Sequence, residues 1–174
     1  LPEQSDLGRA AALLRDRGCY FSIATNPSVR AMVWVGHSRS ELFLHFRVEE
    51  PTVRAVAAEP NQPVYQDSCV ECFLALGNTV GYYNLELNCI GTPLVGFGID
   101  RYRRFRLNPT LLTRIRSESS LGAAPFDERP ADAPWELTVL VPTSVFAYHP
   151  RRDLSGAGAR ANFYKCGDAL AAPH

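Results

Sequence analysis

Hydrogen-bonding side chains stand at every second position of otherwise apolar stretches of this sequence. Glu71 lies between Val70 and Cys72, while Asn84, Glu86 and Asn88 alternate with Tyr83, Leu85, Leu87 and Cys89. Arg160 and Asn162 flank Ala161 in the same way. In a strand this alternation sends polar and apolar groups to opposite faces, so these six residues form a polar row on sheet whose other face is core. Carboxylates, amides and a guanidinium on stiff backbone offer paired donors and acceptors, which suits the neighbouring hydroxyls of a sugar. Aromatic rings supply the complementary half by covering the C–H face of a pyranose. Tyr65, Tyr82, Tyr164 and Trp135 are candidates for that role. A solvated sheet face has the same alternation, so the pattern alone does not name a ligand.

The sequence holds other constellations with possible chemistry. Glu71 and Glu86 could form a glycosidase acid pair, but two carboxylates on a sheet are more often a binding or solvated pair. Cys69-Val70-Glu71-Cys72 fits C-x-x-C, yet on a strand residues three apart face opposite ways and could not grip one ion. Arg101, Arg103, Arg104 and Arg106 could meet an acidic sugar or phosphate. Solvation or internal pairing is the simpler reading of that cluster. Met32 with His37 or His45 offers haem-ligand chemistry, although Met32 reads more simply as a core residue. Neither a phosphate-binding Walker loop nor a Ser-His-Asp signature is present.

The elements that must carry the polar row are mostly strands. Residues 5–17 have helical apolar spacing at Leu7, Ala10, Ala11 and Leu14, with Ser5 or Asp6 as cap and Gly18 as stop. This predicts a helix plugging one end of the core. Strands are expected at 19–25, 29–35, 41–48, 68–76, 80–89, 91–98, 135–141 and 159–166. Gly77-Asn78 is the turn of a hairpin joining the fourth and fifth of these. Residues 117–134, with Pro125, Pro130, Pro134 and Gly122, read as a long surface loop. Many short strands with one helix predict an all-β fold, an antiparallel β-sandwich of jelly-roll or immunoglobulin-like type with a short N-terminal helix, as a single domain over residues 1–174.

Composition agrees with a globular chain. Of 174 residues, 46% are hydrophobic and 21% charged, and 18 Lys plus Arg balance 18 Asp plus Glu. A neutral chain lacks the basic excess with which nucleic acids or anionic membranes are usually met. There is no apolar run long enough for a transmembrane helix. Five cysteines leave at least one thiol outside any intramolecular pairing.

Four blocks of the sequence resemble those of one family. Tyr65-Gln66-Asp67-Ser68-Cys69-Val70-Glu71-Cys72-Phe73 resembles the "W-x-D-S-V-E-x-F" segment of family 9 carbohydrate-binding modules. Tyr82-Tyr83-Asn84-Leu85-Glu86-Leu87-Asn88 resembles the "Y-Y-N-F-E-F-N" strand of a bacterial family 9-like subgroup. Trp135 to Pro142 is similar to its "W-x-x-x-V-x-I-P" strand, and Arg160 to Asp168 to its closing strand. The resemblance implies a non-catalytic sandwich, within a wider DOMON-like superfamily, that binds a saccharide of plant-polysaccharide type and often accompanies a glycoside hydrolase. It places Tyr65 at an aromatic platform, with Glu71, Glu86, Asn88, Arg160 and Asn162 as polar partners of the sugar. Tyr65 replaces the usual Trp, and no counterpart of a second platform is found near Lys165 and Cys166. The alternatives are an interaction domain on the same scaffold with a decayed sugar site, or a haem-binding electron-transfer domain. Structural calcium is conceivable in this family, with Asp67, Asp100, Glu49 and Glu50 as oxygen donors, but no compact D-x-D loop is present. No other cofactor is expected. The resemblance favours a periplasmic or extracellular setting.

Overall fold

A computed structural model describes residues 6–17, 19–149 and 153–174. Helix α1 spans Asp6–Arg17, and the expected cap Ser5 and stop Gly18 lie outside the described residues. The strands are β1 (Cys19–Asn26), β2 (Val29–His37), β3 (Glu41–Glu49), β4 (Thr52–Ala55), β5 (Cys69–Leu76), β6 (Tyr82–Asn88), β7 (Pro93–Gly98), β8 (Arg104–Arg106), β9 (Arg116–Ser119), β10 (Phe126–Pro130), β11 (Trp135–Pro142) and β12 (Ala159–Cys166). A one-turn helix α2 covers Pro109–Leu112, capped by the Asn108 side chain on the Thr110 amide.

The strands form an antiparallel β-sandwich. One sheet has the order β1-β2-β3-β11-β9 and the other β12-β5-β6-β7-β8, with β10-β4 as a separate pair. The expected hairpin is β5 and β6, in register from Cys69 opposite Asn88 to Leu74 opposite Tyr83. Side chains from the inner faces meet between the sheets. Val33, Leu44, Phe46, Leu137 and Val139 come from the first, and Cys72, Leu74, Leu85, Leu87 and Val95 from the second. At the β1–β12 edge the rings of Phe21 and Phe163 pack 5.3 Å apart.

Four expectations are corrected. Residues 117–134 are not one loop, because β9 pairs with β11 and β10 with β4. Helix α1 does not plug an end of the core; it lies on the outer face of the first sheet, packed against β2, β3, β9 and β11. Leu14 and Ala11 are buried there, and a Cβ on Gly36 would come within 2.5 Å of Leu14 Cδ2, so glycine allows the close approach. Met32 is not core: it is half-buried and opposite Arg47, while its neighbours Ala31 and Val33 point inward. Trp135 is no platform: it is fully buried, and its Nε1–H donates to Glu50 Oε1 at 2.6 Å.

Candidate functional site

The outer face of the second sheet carries the chemistry. Period-two alternation that sends Cys72, Leu74, Leu85 and Leu87 inward sends Glu71, Phe73, Asn84 and Glu86 outward. Antiparallel register sets Glu71 opposite Glu86 on β6 and opposite Tyr164 on β12. Phe73 stands opposite Asn84. These groups floor a cleft of about 610 Å³, with Tyr65, Tyr164 and Asp168 at its sides and Arg101 and Arg104 beside it.

The walls are tied together by backbone. Tyr65 sits in a single 3-10 turn, Val64–Gln66. Its carbonyl accepts from the Asp168 amide at 3.0 Å, and the Gln66 carbonyl accepts from the Ala169 amide at 3.1 Å. The Tyr65 turn is thus stitched to the segment that follows β12. The Phe73 ring meets Tyr164 edge-on with centroids 5.2 Å apart and lies 5.9 Å from Tyr82, so an aromatic band continues along the face.

The floor is polar, buried and crowded with acid. Asn84 is 1% exposed and Glu86 4%. The Asn84 Nδ2 donates to Glu86 Oε1 at 2.6 Å, and the Cys166 thiol donates to Glu71 Oε1 at 3.2 Å. Arg104 reaches Glu86 Oε1 at 3.6 Å. Burial, reinforced by the Glu71 charge across the ladder, pushes the Glu86 carboxyl up to about 8 against the pull of Arg104 and Arg106. Burial also raises Glu71, which the Cys166 and Asn84 hydrogen bonds and Arg104 partly offset. Two buried atoms facing this floor have no hydrogen-bond partner, Asn84 Oδ1 and Glu86 Oε2. Leaving a buried polar atom without a partner costs about 1–3 kcal/mol, so these two atoms favour an incoming hydrogen-bond partner.

The chain matches the family model for carbohydrate-binding family 9 over residues 19–174. It belongs to carbohydrate-binding family 9. Among solved structures it is similar to a candidate carbohydrate-binding protein from Bacteroides uniformis. Identity is 33% and the TM-score 0.86, with 95% of this chain and 79% of that chain covered. A family 9 module from Caldicellulosiruptor kristjanssonii in complex with cellotriose is 12% identical, with a TM-score of 0.45 over 80% of this chain and 60% of that one. No curated protein matches.

For this family 9 chain the sequence named six polar or aromatic partners, and the structure gathers three of them. Tyr65, Glu71 and Glu86 line the cleft together. Asn88 does not. It is fully buried, its Nδ2 donates to Ala57 O at 2.7 Å and to Asp67 Oδ2 at 3.0 Å, and its Oδ1 accepts from the Thr92 amide at 2.9 Å. Every polar atom of that amide is used in holding loops. Arg160 and Asn162 share the face of Tyr164 but stand further along β12, opposite Ala75 and Phe73, exposed and outside the cleft lining. Asn84 and Tyr164 were in the polar row and among the candidate rings without being assigned a site role. The signal that selects them is register, since Asn84 stands directly opposite Phe73 and Tyr164 directly opposite Glu71. Arg101 and Arg104 line the cleft, whereas Arg103 pairs with Asp100 at 2.6 Å and Arg106 donates to Asn61 O at 2.7 Å.

The oxygen donors named for calcium are dispersed. Asp67 accepts from the amides of Val56 and Ala57, each at 2.9 Å, Glu50 meets Lys165, and Asp100 accepts from the Tyr102 and Arg103 amides. Glu49 faces Arg47 at 3.6 Å. Among the described residues no group of three or more His, Cys, Asp or Glu is placed to hold a metal ion. His45 has both ring nitrogens in hydrogen bonds, Nδ1 with Thr138 Oγ1 at 3.0 Å and Nε2 with Arg15 at 3.2 Å.

Proposed function

We propose that the chain works as a non-catalytic module that holds a saccharide in the cleft over β5, β6 and β12. One observation carries this reading: buried, unpartnered acceptor atoms on Asn84 and Glu86 lie in a cleft flanked by the rings of Tyr65 and Tyr164. A sugar supplies what each part lacks, hydroxyl donors for the floor and apolar C–H faces for the rings. Tyr164 answers the absence of a recognisable second platform, since it brings a second, half-exposed ring to the cleft from sequence only one residue before Lys165. A decayed site would not be expected to keep both rings and the unpartnered floor.

The position of the two glutamates favours binding over hydrolysis. Both rise from one rung of the same floor, and Asn84 contacts both carboxyl groups. A glycosidase needs its two carboxyl groups on either side of the scissile bond.

Calorimetric titration against a panel of soluble oligosaccharides tests the reading. At least one saccharide is expected to bind, and Tyr65→Ala and Tyr164→Ala are each expected to weaken it about tenfold or more, the worth of one aromatic contact face. Both variants should keep the parent circular dichroism spectrum, because Tyr164 is half-exposed and Tyr65 only borders the small cluster of Ala57, Val64, Cys69 and Leu94. Binding unaffected by either change would place the ligand elsewhere.

A further inference from the structure

The charge inventory of the floor says more about the occupant. Glu71, Glu86 and Asp168 line the cleft with Arg101 and Arg104, so acids exceed cations by one in the lining, and Arg106, which acts on Glu86 from outside it, is committed to Asn61 O. The deficit is local. Glu86 has a guanidinium at 3.6 Å, whereas its ladder neighbour Glu71 has a thiol on it and no ion pair within 4 Å among the described residues. Adjacent carboxyl groups without a second cation cannot both ionise comfortably, and in the free cleft the deficit is met by a proton. The orientation of Asn84 adds to this. Its NH₂ is committed to the glutamates, which turns Oδ1, 99% buried as a residue and unpartnered, into an acceptor waiting for a donor.

We infer that the saccharide recognised is an amino sugar, whose ammonium group sits over the Glu71–Glu86 rung and donates to Glu71, Glu86 Oε2 and Asn84 Oδ1. An ammonium has three N–H donors and no acceptor, which matches three acceptor groups lining one cleft floor. It also supplies the missing cation in a low-dielectric setting where charge-assisted bonds are strongest. Arg104 and Arg101, on the β8 side, would then face the hydroxyls and not the amine. A hydroxyl in the same place could donate to only one of the three.

The inference rests on the saccharide reading above, and one experiment separates the two. The wild-type protein is titrated at neutral pH with matched gluco- and galacto-configured saccharides that differ only at C2, bearing a hydroxyl, an acetamido group or an ammonium. The ammonium member is expected to bind about tenfold tighter than its hydroxyl counterpart, as one additional charge-assisted contact would give. In Glu71→Gln and Glu86→Gln the ratio should fall towards one. Hydroxyl or acetamido members binding as well as the amine would overturn the amino-sugar inference and leave saccharide binding standing. An ammonium preference that survives both substitutions would also overturn it, because the preference would then arise outside the glutamate rung. No binding by any saccharide would overturn both readings.

Discussion

Glu86 illustrates how one residue can be costly to the fold and useful to the site. Its carboxyl is 4% exposed, faces Glu71, Asp168, Arg104 and Arg106, and titrates at about 8 instead of the ordinary 4.5. The folded state therefore holds a proton that the unfolded chain has released. Its stabilising effect is complete below the unfolded value and is lost as pH rises through about 8. Between those limits this group should lower stability by up to about 1.4 kcal/mol for each pH unit. Glu86→Gln removes the slope, so the variant should gain on the parent as pH is raised from about 5.5 to about 8, read as urea midpoints at each pH. Parallel curves for the two proteins would show that Glu86 does not titrate in this way. His45 acts in the opposite direction. Burial lowers its pKa, so it loses stability on acidification in both proteins alike and cancels in the comparison. At this scale the sequence was half legible. Alternation assigns a residue to a face, and by that rule Tyr65's neighbours Glu71 and Glu86 were found. It does not give position along the strand. Asn88 is on the right face but at the end of β6 roofed by Ala57 and Asp67, and Asn162 is on the right face beyond the cleft.

At the scale of elements, legibility followed apolar content. The β5–β6 hairpin and β11 showed themselves because their apolar positions are buried, and β12 because its polar and apolar residues alternate, although Lys165 is its one buried residue. Strand β9, Arg-Ser-Glu-Ser, has no apolar alternation; it is an edge strand held by its ladder to β11, and only that tertiary pairing defines it. Strand β10 is interrupted by a register shift between Phe126 and Arg129, and proline closes it, which hid it behind loop signals. Helix α1 was found but misplaced, because its apolar positions could not say which surface they cover. Leu14 over Gly36, and Arg15 on Glu136 at 3.1 Å, settle it on the first sheet. That position leads to a prediction. Leu14→Ala should cost about 2–3 kcal/mol by emptying the space above Gly36. Saccharide affinity should be unchanged, because α1 and the cleft belong to different sheets. Denaturant unfolding and calorimetric titration of the same variant check both halves, and a loss of affinity would mean that the two sheets are coupled through the core.

Across the whole molecule, the two sheets are joined at one end by a buried ion pair. Lys165 of β12 forms an ion pair with Glu50 Oε2 at 2.8 Å and donates to His174 Nε2 at 2.9 Å and to Cys166 O at 2.9 Å. Glu50, just after β3, receives Trp135 of β11 on its other oxygen at 2.6 Å. Two strands of the first sheet and the edge of the second thus meet in one closed network without exposed charge. Desolvation makes such a network a poor source of net stability, yet removing one member leaves a buried charge alone. Lys165→Met should therefore destabilise by about 3–5 kcal/mol, and adding Glu50→Gln should return a large part of that by neutralising the abandoned carboxylate. The measurement is a double-variant cycle by urea unfolding; additive losses would show that the pair is not coupled. The effect should extend to function. Cys166 and Asp168 follow Lys165 in the chain, Gly167 donates its amide to the His174 carbonyl at 2.9 Å, and Asp168 carries the hydrogen bond that holds the Tyr65 turn. Loosening Lys165 should therefore widen the gap between Tyr65 and Tyr164 and weaken saccharide binding in the single variant, with recovery in the double one. A single variant that loses stability but binds as before would mean that the Tyr65 turn keeps its place without the buried pair.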